Sequence, residues 1–164
     1  MGLLKPEDWK ASWIEPELTV NTKSMPPPPL TRKEFSLSKK IQSARLYATS
    51  HGLNFMVING KKVGEDLFTP GWTAYQDHLQ YFVYDVSGML SQGPNAIGAV
   101  LGDGWYRGYL AWEDNRNVYG EKLGLLAQLV VTYTDGSQQI IGTDASWKAQ
   151  NNSAIRMADL YNGE

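Results

Sequence analysis

The sequence predicts an all-β fold, an antiparallel two-sheet β-sandwich of jelly-roll type, and three observations carry that expectation. Apolar residues recur with period two in several short segments, and the dipeptides Asn59-Gly60 and Asp135-Gly136 punctuate those segments as hairpin turns. The chain also holds 16 glycines, and no long segment has a helical period of 3.6 residues. There is no internal repeat and no strand-helix-strand rhythm of the kind that builds a nucleotide-binding sheet.

Taken in order, Trp9-Lys10-Ala11-Ser12-Trp13-Ile14 sets two indoles four residues apart, a spacing suited to an arm that packs on a larger body. Pro26-Pro27-Pro28-Pro29 then fixes φ and removes successive donors, which makes a stiff connector laid across the sandwich. Residues 1–29 are therefore expected to be an N-terminal arm and proline-rich connector, and residues 30–164 the sandwich domain. In the segment from Ile41 to Thr49, Ala44, Leu46 and Ala48 alternate with Arg45, Tyr47 and Thr49, as in a half-buried strand. Leu53 to Ile58 runs into Asn59-Gly60, whose preference for positive φ reverses the chain into a short return strand from Lys61 to Val63. Tyr81 to Val86 and Asn95 to Leu101 are further strands, separated by a turn that Gly93-Pro94 ends. Leu125, Ala127, Leu129, Val131 and Tyr133 share one face of another strand, which reverses at Asp135-Gly136 into Gln138 to Ile141.

Composition narrows the function. At 164 residues and 42% hydrophobic, the chain fits one globular domain with one core. The absence of cysteine excludes thiol nucleophiles and thiolate zinc sites, and leaves the compartment open. A net charge of −2, spread without long runs, gives no footprint for nucleic acid or an anionic membrane. Met1 to Asp8 lacks the apolar core of a signal peptide, and no stretch approaches the length of a membrane-spanning helix.

Catalytic constellations are equally scarce. The two histidines, His51 and His78, stand near no Gly-x-Ser-x-Gly elbow and form no His-x-x-x-His pair, which disfavours a serine triad and a catalytic zinc. Asp103, Asp135 and Asp144 lie in turn contexts and Asp85 late in a strand, where carboxylates serve turn chemistry and solvation. The segment 102–120 stands apart, since it combines Trp105, Tyr106, Tyr109, Trp112 and Tyr119 with Glu113-Asp114-Asn115 between two strong strands. As a long loop at one end of a sandwich it is the best candidate for a carbohydrate site. Trp105, Tyr106 and Trp112 would offer apolar platforms, and Asp114 and Asn115 oxygen atoms for hydroxyl groups or calcium. The competing expectation is structural: Trp105 and Tyr106 plug the end of the core while Arg107 and Arg116 pair with nearby acids to fold the loop. Trp72, in Pro70-Gly71-Trp72-Thr73-Ala74-Tyr75, poses the same choice and is expected to be a core or interdomain plug.

Several of these segments occur together in one family. Ile58-Asn59-Gly60-Lys61-Lys62-Val63-Gly64, Pro70-Gly71-Trp72-Thr73-x-Tyr75, Tyr84-Asp85-Val86, Gly93-x-Asn95-Ala96-Ile97-Gly98 and Leu101-Gly102-Asp103-Gly104-Trp105-Tyr106-Arg107-Gly108 follow one another in order. Tyr119-Gly120, Leu125-Leu126-Ala127-Gln128-Leu129, Thr143-Asp144-x-Ser146-Trp147-Lys148 and Asp159-Leu160-Tyr161-Asn162-Gly163-Glu164 continue the series. From about Trp9 onward the chain resembles the N-terminal β-sandwich domain of bacterial α-L-rhamnosidases of glycoside hydrolase family 78.

The resemblance implies a galactose-binding-domain-like jelly roll acting as a non-catalytic accessory domain, followed in the parent by another β domain and an α/α-barrel that carries the acid and base carboxylates. No catalytic residue is then expected in this chain, and its partners are the catalytic domain of the same parent and a rhamnose-containing carbohydrate. The alternative implied is an independent calcium-dependent L-rhamnose-binding module. Some relatives hold calcium through an adjacent Asp and Asn after Gly-Trp-Tyr-x-Gly, and Asp114-Asn115 stands in the similar place, with Asn162 and Glu164 as further ligands by analogy. Calcium is thus the one cofactor implied, and the fold does not require it. A periplasmic or extracellular bacterial parent fits the resemblance, with a cytoplasmic one left open.

Overall fold

The structure, a computed structural model, describes residues 4–16, 26–111 and 115–161. Its strands in chain order are β1 (Leu30–Leu37), β2 (Ile41–His51), β3 (Leu53–Ile58), β4 (Lys61–Lys62), β5 (Phe82–Asp85), β6 (Gly93–Gly102), β7 (Gly124–Tyr133), β8 (Gln138–Gly142) and β9 (Lys148–Gln150). One four-residue helix, α1 (Gly104–Arg107), follows β6. The strands form a five-stranded sheet of order β4-β3-β6-β1-β9 and a four-stranded sheet of order β5-β2-β7-β8, with antiparallel pairing throughout. This is the two-sheet sandwich that the alternating pattern predicts.

The alternation works as expected on the inner faces. Leu46, Leu125, Leu129 and Val131 from one sheet and Ile58, Ile97 and Leu101 from the other are buried in a single apolar cluster. The turn at Asn59-Gly60 has φ of 50° and 79° at its central residues, the left-handed pair that suits an antiparallel hairpin. β1 and β9 are strands that the sequence pattern does not announce. β1 reads Leu-Thr-Arg-Lys-Glu-Phe-Ser-Leu, with Arg32 and Glu34 on an open face and Lys33 turned the other way to Asp144, so sheet pairing to β6 and β9 decides its conformation.

The alternation fails on the outer face of the four-stranded sheet, for a definite reason. Tyr47 and Gln128 point away from the core and are still buried, because the N-terminal arm lies across them. Trp9 meets Tyr47 and Tyr81 edge to face, at 6.3 and 5.7 Å between ring centres. The Gln128 side chain accepts from the Lys10 and Ala11 amides at 2.6 and 3.1 Å and donates to the Asp8 carbonyl at 3.0 Å. An isolated bridge pairs Ile14 with Leu125. Pro26, Pro28 and Pro29 are buried, and the Pro29 carbonyl accepts from the Leu101 amide at 2.9 Å. Among the described residues, no helix is long and apolar enough to cross a membrane.

Candidate functional site

Two excursions from the sheets meet at one end of the sandwich: residues 63–81 between β4 and β5, and residues 103–123 between β6 and β7. The second begins where β6 delivers Asp103 into a buried position and the chain turns through α1. The Asp103 carboxylate accepts from Arg107 Nε and Nη2 at 2.8 and 2.6 Å through one oxygen, and from Arg116 Nη2 at 2.7 Å through the other. Arg116 Nη1 lies 3.7 Å from Asp159, whose side chain is wholly buried. Asp159 also accepts from the amides of Tyr109 and Tyr161, at 2.9 and 3.1 Å. Two carboxylates thus balance two guanidinium groups out of water, and charge-assisted bonds meet both acids. Arg116 further lies over the Tyr109 ring, 4.8 Å from its centre.

Glycine makes this packing feasible at position 108. A Cβ there would stand 2.7 Å from an Asp159 oxygen and 2.4 Å from the Gly104 carbonyl, closer than atoms can approach. Backbone bonds then close the loop: the Leu110 amide donates to the Asn115 carbonyl at 2.8 Å, and the Asn117 amide to the Arg107 carbonyl at 3.0 Å. The pairing of Arg107 and Arg116 with nearby acids is therefore present. Because Asp159 is one of those acids, the segment around residue 159 is tied to the same cluster.

Aromatic rings surround the cluster in two sets. In the inner set the Trp13, His51 and Tyr106 rings stack in sequence, at 4.4 and 4.8 Å and within 13° and 3° of parallel. Tyr75 meets Tyr106 and Tyr119 edge-on at 5.2 and 4.9 Å. Burial and the neighbouring phenols of Tyr119 and Tyr106 push the Tyr75 hydroxyl up to about 12, and burial raises that of Tyr106. Burial also lowers the His51 pKa, against an opposing pull from Glu15.

The outer set faces solvent. Trp105 lies near-parallel to Trp72 at 5.9 Å and meets Phe68 at 6.1 Å. Leu67, Phe68 and Trp72 are 73%, 57% and 56% exposed. Phe68 holds φ at +56°, a left-handed conformation that a bulky side chain adopts at a cost. The Trp72 indole N–H donates to the Tyr119 hydroxyl at 3.1 Å, which joins the two excursions.

The sequence-expected site residues consequently separate. Trp105 belongs to the outer, solvent-facing rings, and Tyr106 to the inner stack. Asn115 is exposed on the loop that the ion cluster pins. Trp112 and Asp114, and likewise Asn162 and Glu164, lie outside the described residues. Trp72 is not a core plug, since it stands on the surface beside Trp105. Leu67 and Phe68 carry no motif and were missed; their only signal is an apolar pair just ahead of Thr69-Pro70. His78 is exposed, and among the described residues no three His, Cys, Asp or Glu side chains gather as a metal-binding group.

Fold and loop end together define an all-β sandwich domain whose distinguishing surface is an aromatic, ion-locked cluster at one edge. Residues 39–164 match the α-L-rhamnosidase N-terminal domain family, and the chain belongs to that family. An α-L-rhamnosidase of Alteromonas sp. (strain LOR) is 37% identical to it over 170 aligned residues, covering 100% of this chain and 18% of the relative. The native α-L-rhamnosidase of Aspergillus terreus superposes with a TM-score of 0.94 at 43% identity, covering 99% of this chain and 19% of that one. The Streptomyces avermitilis α-L-rhamnosidase, crystallised with L-rhamnose, gives a TM-score of 0.75 at 41% identity over 77% of this chain and 12% of its own. The chain thus spans about a fifth of the length of such relatives.

Proposed function

We propose that this chain is a non-catalytic accessory domain of an α-L-rhamnosidase and that it packs beside the catalytic part of the parent through the outer aromatic set. The exposed side chains of Leu67, Phe68 and Trp72, with the half-buried Trp105 ring set against Phe68 and Trp72, carry this reading. A contiguous patch of large apolar side chains is costly to leave in water and is characteristic of a surface that a partner covers. A glycosidase needs two carboxyl groups open to substrate, and at the loop end the two buried acids, Asp103 and Asp159, supply neither because they are committed to guanidinium and backbone donors. The 164-residue chain incubated with an aryl α-L-rhamnoside should release no phenol above a buffer blank. In the parent enzyme, Phe68→Ser with Trp72→Ser should expose the junction to limited proteolysis while the isolated chain keeps its own melting temperature. Unchanged proteolysis in the parent overturns the docking role.

A second reading, a calcium-dependent L-rhamnose module, draws support from the way the ion cluster fixes the loop that presents Asn115. Calcium takes roughly six to eight oxygen ligands, so Asn115 and Asp114 would need sugar hydroxyls, water or further protein oxygens to complete the shell. Calorimetry of L-rhamnose with calcium and again with EDTA separates the two readings. Heat that disappears with EDTA and in Asp114→Ala supports the module, and no heat in either buffer leaves docking alone.

A further inference from the structure

We propose that the cleft between the N-terminal arm and the β8–β9 turn is a second, metal-independent carbohydrate site that takes one neutral pyranose unit of a glycan. It lies on Ser12 to Pro16 on one side and Asp144, Ala145, Trp147, Lys148 and Ala149 on the other, with the buried Thr31 below. Its volume is about 680 Å³, within the range of small-ligand sites. Neither the accessory role nor the Asp114-Asn115 loop enters the inference.

The composition of the walls selects the ligand. Two indoles, Trp13 and Trp147, line the cleft together with Ile14 and Pro16, and between them stand an amine, Lys148, and two carboxylates, Glu15 and Asp144. A pyranose ring has the matching character, with a C–H face for an indole and a rim of hydroxyls that both donate and accept. Asp144 is paired with Lys33 and Glu15 with Lys122, so apart from Lys148 the charge at the walls is already balanced, and polar edges beside two indoles suit hydroxyl groups on a C–H-rich ring better than a purely apolar or strongly charged ligand. A peptide adding to the sheet edge would find only the three residues of β9, too short a strand to seat one.

The walls are also set before a ligand arrives. Trp13 is 41% exposed yet stacked on His51, which is itself backed by Tyr106, so its ring is held from behind. The Trp147 indole N–H donates to the Gly142 carbonyl at 3.0 Å. The Asp144 carboxylate accepts from the Ser146 amide and hydroxyl at 2.9 and 2.5 Å through one oxygen and from Lys33 Nζ at 2.6 Å through the other, so one of its roughly four acceptor positions is left for a hydroxyl group. Side chains already fixed lose little entropy on binding, a requirement for recognising a small polar ligand in water.

The test is calorimetry of the 164-residue chain in EDTA, with methyl α-L-rhamnopyranoside, methyl α-D-glucopyranoside and methyl β-D-galactopyranoside as probes. At least one should bind with a Kd on the order of millimolar, and Trp13→Ala and Asp144→Ala should each weaken it by at least about tenfold. Asp114→Ala should leave that binding unchanged. Trp13→Phe, which keeps a stacking ring, should retain most of it, and far-ultraviolet circular dichroism checks that each variant folds. No heat with any probe, binding that requires calcium, or binding that survives Trp13→Ala each overturns the proposal. So does a parent enzyme in which another part of the chain fills the cleft.

Discussion

The body of the sandwich and its loop end are both buried, and they are held by opposite means. In the body, apolar side chains alternate inward from two ladders, so stability is spread over Leu37, Leu46, Leu125, Leu129 and their neighbours, and no single member fixes the arrangement. At the loop end a one-turn helix and an irregular chain are held by four charges and a stack of rings. The body should therefore tolerate change in small steps, whereas the loop end should depend on charge balance and loosen when one member is lost.

The sharpest way to break this contrast is Asp103→Ala. It leaves Arg107 and Arg116 buried without their shared acceptor and should cost about 3–5 kcal/mol, as for other buried pairs deprived of one partner. Leu129→Ala, a fully buried truncation in β7, should cost about 2–5 kcal/mol. The two losses should differ in kind. Urea unfolding followed by far-ultraviolet circular dichroism should show both. Before unfolding, only Asp103→Ala should increase amide exchange at Tyr109, Leu110 and Asn117, whose N–H groups the loop end holds. An Asp103→Ala protein as stable as the parent chain would show that the cluster is not what secures the loop.

A smaller effect probes the border between the two regimes, the N-terminal arm. Gln128 is an amide on the outer face of a buried strand, and it satisfies two backbone donors and one acceptor of the arm. Gln128→Ala should cost about 1–3 kcal/mol, the penalty for buried groups left unpaired. It should also free the arm to trypsin at Lys10 while the sandwich stays intact. If cleavage at Lys10 is unchanged, the Trp9 rings hold the arm without it.

The same contrast explains what could be read from the chain. Alternation located β2 and β7, short apolar runs bounded by turn residues located β3, β5, β6 and β8, and Asn59-Gly60 and Asp135-Gly136 marked reversals because their backbone preferences are local. β1 and β9 were illegible, since ladder partners far along the chain, Leu30 with Val100 and Leu30 with Gln150, make them strands. The burial of Gln128 was hidden for the same reason: its cover comes from residues 8–11, 117 to 120 positions away in the chain. At the loop end, the expectation that Arg107 and Arg116 pair with acids was sound because charges in a compact loop must be neutralised. The identity of Asp159 as a partner depended on tertiary structure. Trp72 and Phe68 show the limit most clearly, since composition alone says nothing of whether an aromatic side chain faces the core or the solvent.

The smallest expected effect separates the regions by pH. His51 is pressed between Trp13 and Tyr106, and burial lowers its pKa while Glu15 opposes the shift. Its unfolded value is about 6.5, so below that pH the unfolded chain takes up a proton that the folded ring resists. The stability contributed by neutral His51 is therefore complete above about pH 6.5 and is lost as pH falls through the lowered folded value. The ring is partly exposed, so the loss should stay below about 1 kcal/mol. On the body, the Lys33 contact above all, with the Ser146 hydrogen bonds, draws the Asp144 carboxyl down to about 2. Its contribution persists above the ordinary carboxylate range and disappears only as pH falls from about 4 toward that value. Urea midpoints at pH 8, 5.5 and 3 should thus fall in two steps. His51→Gln should remove the upper step alone, because glutamine does not titrate, and Lys33→Met should blunt the lower one. A single step below pH 4 in the parent chain would mean that the ring stack does not resist protonation, and that the loop end is no more sensitive to charge than the sheets.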